Sequence, residues 1–170
     1  MPELFKIEIR DWNHALVAGL GNCIKSDDGA GIYIAQKLKE KGVLNVIVAE
    51  NGIENYIGKI NRFMPETLIM IDALDFGNDC KAGFFDLIPL HQVKNTTTST
   101  HNCSLKTISS LLEVPHQWVL GIQPGSVSFG TELTPAVHSA AGQIIEIIYK
   151  VYAASVNRSA FIFEKNWDSK

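Results

Sequence analysis

Two adjacent carboxylates, Asp27 and Asp28, stand in the stretch "GLGNCIKSDDGAG" (residues 19–31), shortly after the apolar run Ala15, Leu16, Val17, Ala18. A third carboxylate, Asp72, follows the apolar run "LIMI", and an imidazole, His101, closes the polar run "KNTTTST". Two carboxylates and an imidazole make a mixed oxygen and nitrogen donor set suited to a borderline divalent ion. Three protein ligands would leave coordination positions open for substrate or water. Paired acids can also share a proton and activate water directly. The glycines do not make a dinucleotide site. A G-x-G-x-x-G fingerprint needs glycine at position 24, where Ile24 stands, and two acids at a helix mouth would repel a pyrophosphate.

Each of these residues also has an architectural role open to it. Ser26 can cap a helix whose first turn holds Asp27 and Asp28, where the macrodipole favours acids. Asp72 can bond loop amides at a strand end, and His101 can serve as a loop or capping histidine. His91 is the rival imidazole because it too lies near an expected strand end; His14, His116 and His138 fall where helices or strands begin. Other catalytic patterns fail. "SVSFG" has Ser126 where a G-x-S-x-G elbow needs its first glycine, leaving Ser128 without that turn. Cys103 lies two residues from His101, with nothing to mark it as activated.

The hydrophobic pattern supplies a scaffold that would bring the acids and histidine together. "HALVAGLGN" reads as a strand and "DDGAGIYIAQKLKEKG" as a helix closed by Gly42. "NVIVAENG" reads as a strand, "IENYIGKINRFM" as a helix stopped by Pro65, and "TLIMIDALD" as a strand buried on both faces. "AGFFDLIPL" follows as a strand, "NCSLKTISSLLE" as a helix and "QWVLGIQP" as another strand. The last helix, "TPAVHSAAGQIIEIIYKVYAASV", carries Val137, Ala141, Ile144, Ile148 and Val151 on one stripe, with Pro135 in its first turn. The order β-α-β-α-β-β-α-β-α predicts an α/β fold, a three-layer α/β/α sandwich with a mostly parallel twisted sheet. In such sheets ligands gather outside the carboxyl ends of the strands, where the candidate residues fall. Residues 1–170 read as a single domain with a core of about 15–150. An N-terminal extension (1–13), in which "LFKIEIR" alternates like an edge strand, and a tail (157–170) flank it.

Composition excludes several classes of function. A chain of 170 residues with 46% hydrophobic content can bury a core without staples. A net charge of -3 with interspersed signs leaves no footprint for nucleic acid. No positive leader precedes a long apolar core, and no run approaches the roughly 18 apolar residues of a membrane span. The expectation is a cytoplasmic protein with no stable membrane insertion. Three separated cysteines, Cys23, Cys80 and Cys103, suggest neither a disulfide framework nor a cysteine zinc site.

The motifs "GLGNCIKSDDGAG", "LIMIDALDFG", "STHNCSL" and "GIQPGSVSFGTELTPAV", in this order and approximate spacing, resemble those of the nickel-iron hydrogenase maturation endopeptidases. The resemblance spans roughly residues 15–150, and a combination of motifs is far more specific than a lone glycine pattern. It implies a protease that removes the C-terminal extension of the hydrogenase large-subunit precursor once nickel has been inserted. It assigns the metal-binding positions to Asp28, Asp72 and His101, and it selects Asp28 over Asp27. Asp28 and Asp72 are the candidate catalytic pair. "ENGIENY" looks like the formate-hydrogenlyase-type branch and makes Gly52, Glu54 and Asn55 candidate substrate contacts. The nickel would arrive on the precursor, so no tightly bound resident metal is expected, and the "KNTTTST" loop should be mobile before substrate arrives. Two alternatives stand beside this reading. One is a non-catalytic assembly chaperone that holds nickel or the precursor. The other is a peptidyl-tRNA hydrolase-like enzyme, whose resemblance ends after "GLGN".

Overall fold

The computed structural model describes residues 12–50, 52–93 and 105–167; His101, Cys103, the "KNTTTST" run and the "LFKIEIR" segment lie outside these residues. Five strands form one sheet in the order β2-β1-β3-β5-β4. The strands are β1 (Ala15–Gly19), β2 (Val46–Val48), β3 (Thr67–Ala73), β4 (Phe85–Pro89) and β5 (His116–Ile122). β1, β2, β3 and β5 are parallel, and β4 runs antiparallel to β5 at one edge. The helices are α1 (Ala30–Glu40), α2 (Ile57–Phe63), α3 (Leu105–Leu111) and α4 (Pro135–Trp167). The alternation of strands and helices is the expected one. The fold is an α/β sandwich with a mostly parallel sheet.

The apolar runs serve both faces because successive side chains on a strand point to opposite sides. Val17, Ile69, Ile71, Leu120 and Ile122 join the core built with α1 and α4, through Ile34, Leu38, Val137, Ala141, Ile144 and Ile148. Leu16, Ala18, Leu68, Met70 and Val119 join the core on the other face, with Ile60 of α2 and Ile108 of α3. The stripe read from the last helix is therefore its packing face, and Val151 packs at its margin. The same helix continues through most of the segment expected as a separate tail.

Three local readings need correction. Ser26 is not an N-cap. It sits at φ 47°, its hydroxyl donates to the Glu132 carbonyl at 2.8 Å, and Ser26–Gly29 forms a short 3-10 turn that delivers Gly29 as the N-cap of α1. The helix expected from Asp27 onward therefore becomes regular only at Ala30. Likewise Ile53–Tyr56 is a 3-10 turn leading into α2, whose end is a left-handed Met64 just before Pro65.

Close approach of α1 to the sheet explains the glycines of the first motif. A Cβ on Gly31 would run into the carbonyl oxygens of Ile71 and Leu20, and one on Gly19 would run into the Gly31 carbonyl. Backbone cannot yield cheaply to such overlap, so Gly31→Ala is expected to destabilise the protein by about 2–4 kcal/mol. Gly142, exposed in α4 where an added Cβ would meet nothing, is the control; Gly142→Ala should stabilise by about 0.5–1 kcal/mol. Urea unfolding of both variants checks the pair, and equal effects would refute the close-approach argument.

Candidate active site

At the carboxyl edge of the sheet, β1, β3 and β5 release three connections that lie side by side. Leu20 N–H donates to the Ile71 carbonyl at 2.8 Å, and Leu74 N–H to the Ile122 carbonyl at 2.9 Å, so each strand end is tied to its neighbour. Asp72, fully buried, is the second-last residue of β3 and pairs in register with Gly121. Its Oδ1 accepts the N–H of Ala73 at 2.9 Å. By the two-residue strand period Asp72 continues the row of Leu68 and Met70, on the face covered by α2 and α3. Asp28 is buried in the 3-10 turn after β1, and that turn packs on β3. The structure thus brings the elements carrying these two acids together at one edge.

Asp27 and Asp28 have separate tasks. The Asp27 carboxylate is fully buried and reaches across to the segment between β5 and α4. Oδ2 accepts the N–H groups of Gly125 and Ser126 at 2.8 and 2.9 Å and the Thr134 hydroxyl at 2.8 Å, while Oδ1 accepts the Thr134 N–H at 2.7 Å. Backbone bonds reinforce the joint: Asp27 N–H to the Ser126 carbonyl, Ser26 N–H to the Gly130 carbonyl, and Gly130 N–H to the Ile24 carbonyl. This use of Asp27 escapes sequence reading because its partners lie about a hundred positions away. The signal available was the acid pair itself, which one N-cap does not need.

A polar cleft of about 340 Å³ opens beside this joint, lined by Asp75, Asn78, Cys80, Gln123, Ser126 and Val127. Asp75 Oδ1 accepts the Gly77 N–H at 2.9 Å, and Gln123 Oε1 accepts the Phe76 N–H at 2.7 Å, so the cleft wall is held by its own polar groups. On the other side of β1, after β2, lie the residues named as candidate substrate contacts. Gly52 is buried at φ 91°, Asn55 is exposed, and the half-buried Glu54 folds its carboxyl back over Gly52. Among the described residues the buried Glu54 Oε2 has no hydrogen-bond partner.

The rival histidine is removed by strand direction. β4 is antiparallel, with Phe85 opposite Ile122 and Pro89 opposite Trp118, so His91 emerges at the far edge of the sheet. It is exposed there. His138 packs near Tyr33 on the helical face of α1 and α4. Among the described residues no group of three or more His, Cys, Asp or Glu side chains could hold a metal ion. His101, the third member of the expected trio, lies outside them.

A family model described as hydrogenase maturation protease matches residues 32–151 of this chain. The chain belongs to the hydrogenase maturation protease family. The match includes the positions of Asp72 and His101 and begins just after Asp28. The Hydrogenase 3 maturation protease of Escherichia coli is 30% identical over 136 residues, covering 77% of this chain and 83% of that protein. A putative hydrogenase maturation protease of Methanocaldococcus jannaschii is 25% identical, covering 91% and 99%. The crystal structure of the nickel-iron hydrogenase maturation protease HycI from Thermococcus kodakarensis superimposes with a TM-score of 0.69 at 26% identity, over 83% of this chain and 93% of that one. The fold and the maturation-protease family are thereby shown. Among the described residues no helix is long and apolar enough to cross a membrane.

Cys23 feels both burial and the acids of this edge. Its thiol is pushed above the ordinary range, first by partial burial and then by the Glu50 carboxylate, with Asp28 adding to the effect and a backbone hydrogen bond opposing it. Fewer thiolates at neutral pH make it a poor nucleophile. In a protein with Cys80 and Cys103 replaced by serine, alkylation of Cys23 by iodoacetamide should reach half its maximal rate at a higher pH than in a free cysteine peptide. Glu50→Gln should move that midpoint down, and a midpoint at or below the peptide's would contradict the assignment.

Proposed function

We propose that this maturation protease removes the C-terminal extension of a nickel-iron hydrogenase large-subunit precursor after nickel insertion, using Asp28, Asp72 and His101. The observation that carries the reading is the burial of Asp28 and Asp72 on adjoining elements at the carboxyl edge, in a chain of this family. Carboxylates buried at the carboxyl edge of such a sheet, where ligands gather, support a site that uses their charge. His101 precedes α3, which packs on the face that Asp72 shares with Leu68 and Met70. Two carboxylates and an imidazole suit nickel, yet they supply only part of a coordination shell and lack the thiolates that hold it firmly. Nickel is therefore part of the substrate in this reading: it comes with the precursor and is read through open positions. A permanently filled site could not tell loaded from empty precursor. Glu54, with Gly52 and Asn55, would contact the precursor, and this segment carries the proposed formate-hydrogenlyase-type branch. The cytoplasmic setting belongs to the same proposal.

At the scissile bond, a water beside Asp28 and Asp72 would give a proton to one carboxylate as it attacks the carbonyl, and that group would pass the proton to the leaving nitrogen as the C–N bond breaks. Nickel on the precursor would supply Lewis-acid polarisation.

Incubating the protein with nickel-loaded and nickel-free precursor and following the mass of the large subunit tests the function. Cleavage of the loaded form alone is expected. Binding of both without cleavage would favour an assembly chaperone. Asp72→Ala and His101→Ala should each lower processing by about 100-fold or more while melting within a few degrees of the parent, and a large loss of stability with retained processing would return Asp72 to a structural role. Metal analysis of the isolated protein should find no stoichiometric ion that survives a chelator.

A further inference from the structure

We propose that Ile24, Val127 and Phe129 form a fixed apolar lip on which the folded body of the large-subunit precursor docks while its extension enters the site. This inference rests on the reading of the Asp28–Asp72 edge as the place of cleavage. Phe129 is 87% exposed, Ile24 49% and Val127 44%. Scattered exposed apolar residues are ordinary, but these three sit on two segments joined to each other. The isolated bridge between Lys25 and Gly130 is one residue from both Ile24 and Phe129, and Val127 also lines the polar cleft.

The segment that carries Val127 and Phe129 is held at both ends. The buried Asp27 carboxylate grips Gly125, Ser126 and Thr134, and the Gly130 N–H and carbonyl are bonded to Ile24 and Ser26. A phenylalanine kept in water on a braced segment adds nothing to the core. Preorganisation of that kind lowers the ordering cost of binding a partner, and aromatic anchors dominate interface energetics.

Position decides the partner. The lip adjoins the 3-10 turn carrying Asp28 and borders the cleft, so whatever covers it is continuous with whatever enters the site. A second copy of this chain seated there would cover the cleft and exclude substrate. A peptide extension alone would need the cleft rather than an outward-facing lip. The precursor meets both surfaces at once.

The test measures the affinity of nickel-loaded precursor for Asp72→Asn protein by calorimetric titration, with and without Phe129→Ser or the Ile24→Ser/Phe129→Ser pair. Phe129→Ser is expected to weaken binding about tenfold and the pair further, with the melting temperature unchanged because the side chain is exposed. Affinities within about twofold of each other would overturn the lip, as would a concentration-dependent dimer in sedimentation that Phe129→Ser abolishes. Should Asp72→Asn still cleave, the reading of the site fails. The lip is then judged by KM, which Phe129→Ser must raise about tenfold at unchanged kcat. If Phe129→Ser does not fold, Val127→Ser takes its place under the same criteria.

Discussion

The joint between the Asp27 carboxylate and the Gly125–Thr134 segment is the interaction on which the rest of the edge depends. A buried charge is tolerated only when its lone pairs are met, and here two backbone amides on Oδ2, one on Oδ1 and a hydroxyl meet them. The bonds cross from the β1–α1 connection to the β5–α4 connection. They set the wall of the cleft, the entry to α4 at Pro135, and the backbone from which Asp28 projects. With Asp27 spent in this way, Asp28 is the acid of the pair that the proposed site would use.

That joint can close only because α1 comes unusually near the sheet. Gly19 and Gly31 allow backbone to approach backbone, and Gly21, at φ 124°, turns the chain where a side chain would meet the Asp28 carbonyl. These glycines, which make no dinucleotide site, therefore serve packing. They lower the 3-10 turn onto β3, where Asp28 comes to the same edge as Asp72.

Periodicity made the fold legible. Runs such as "LIMI" could be read as strands covered on both faces, and the observed division of Leu68 and Met70 from Ile69 and Ile71 is that prediction in atomic terms. Asp72 was legible for the same reason: a carboxylate at the end of so apolar a strand stands out against its background. Ser26 was misread because a serine before two acids has the local chemistry of an N-cap, whereas a tertiary partner, the Glu132 carbonyl, claims its hydroxyl. His91 looked like a rival because sequence gives a strand end without its direction, and the reversal of β4 sends that end to the opposite edge. The partners of Asp27 were not legible, since no local pattern reports bonds to residues a hundred positions on; the doubled acid was their only trace in the sequence.

The charge of this edge narrows the chemistry further. Asp28, Glu50, Asp72 and Asp75 all lie on it or on the connections that leave it, and the raised Cys23 thiol registers two of them. An acidic edge offers the phosphates of a tRNA no positive partner, in keeping with the family, which removes the peptidyl-tRNA hydrolase reading. It also suppresses a thiolate nucleophile. On the reading proposed above, in which nickel comes with the precursor, such an edge would meet the ion with oxygen donors. Acids gathered at one edge, in a chain whose net charge is only -3, would be accounted for by that complementarity under the same reading.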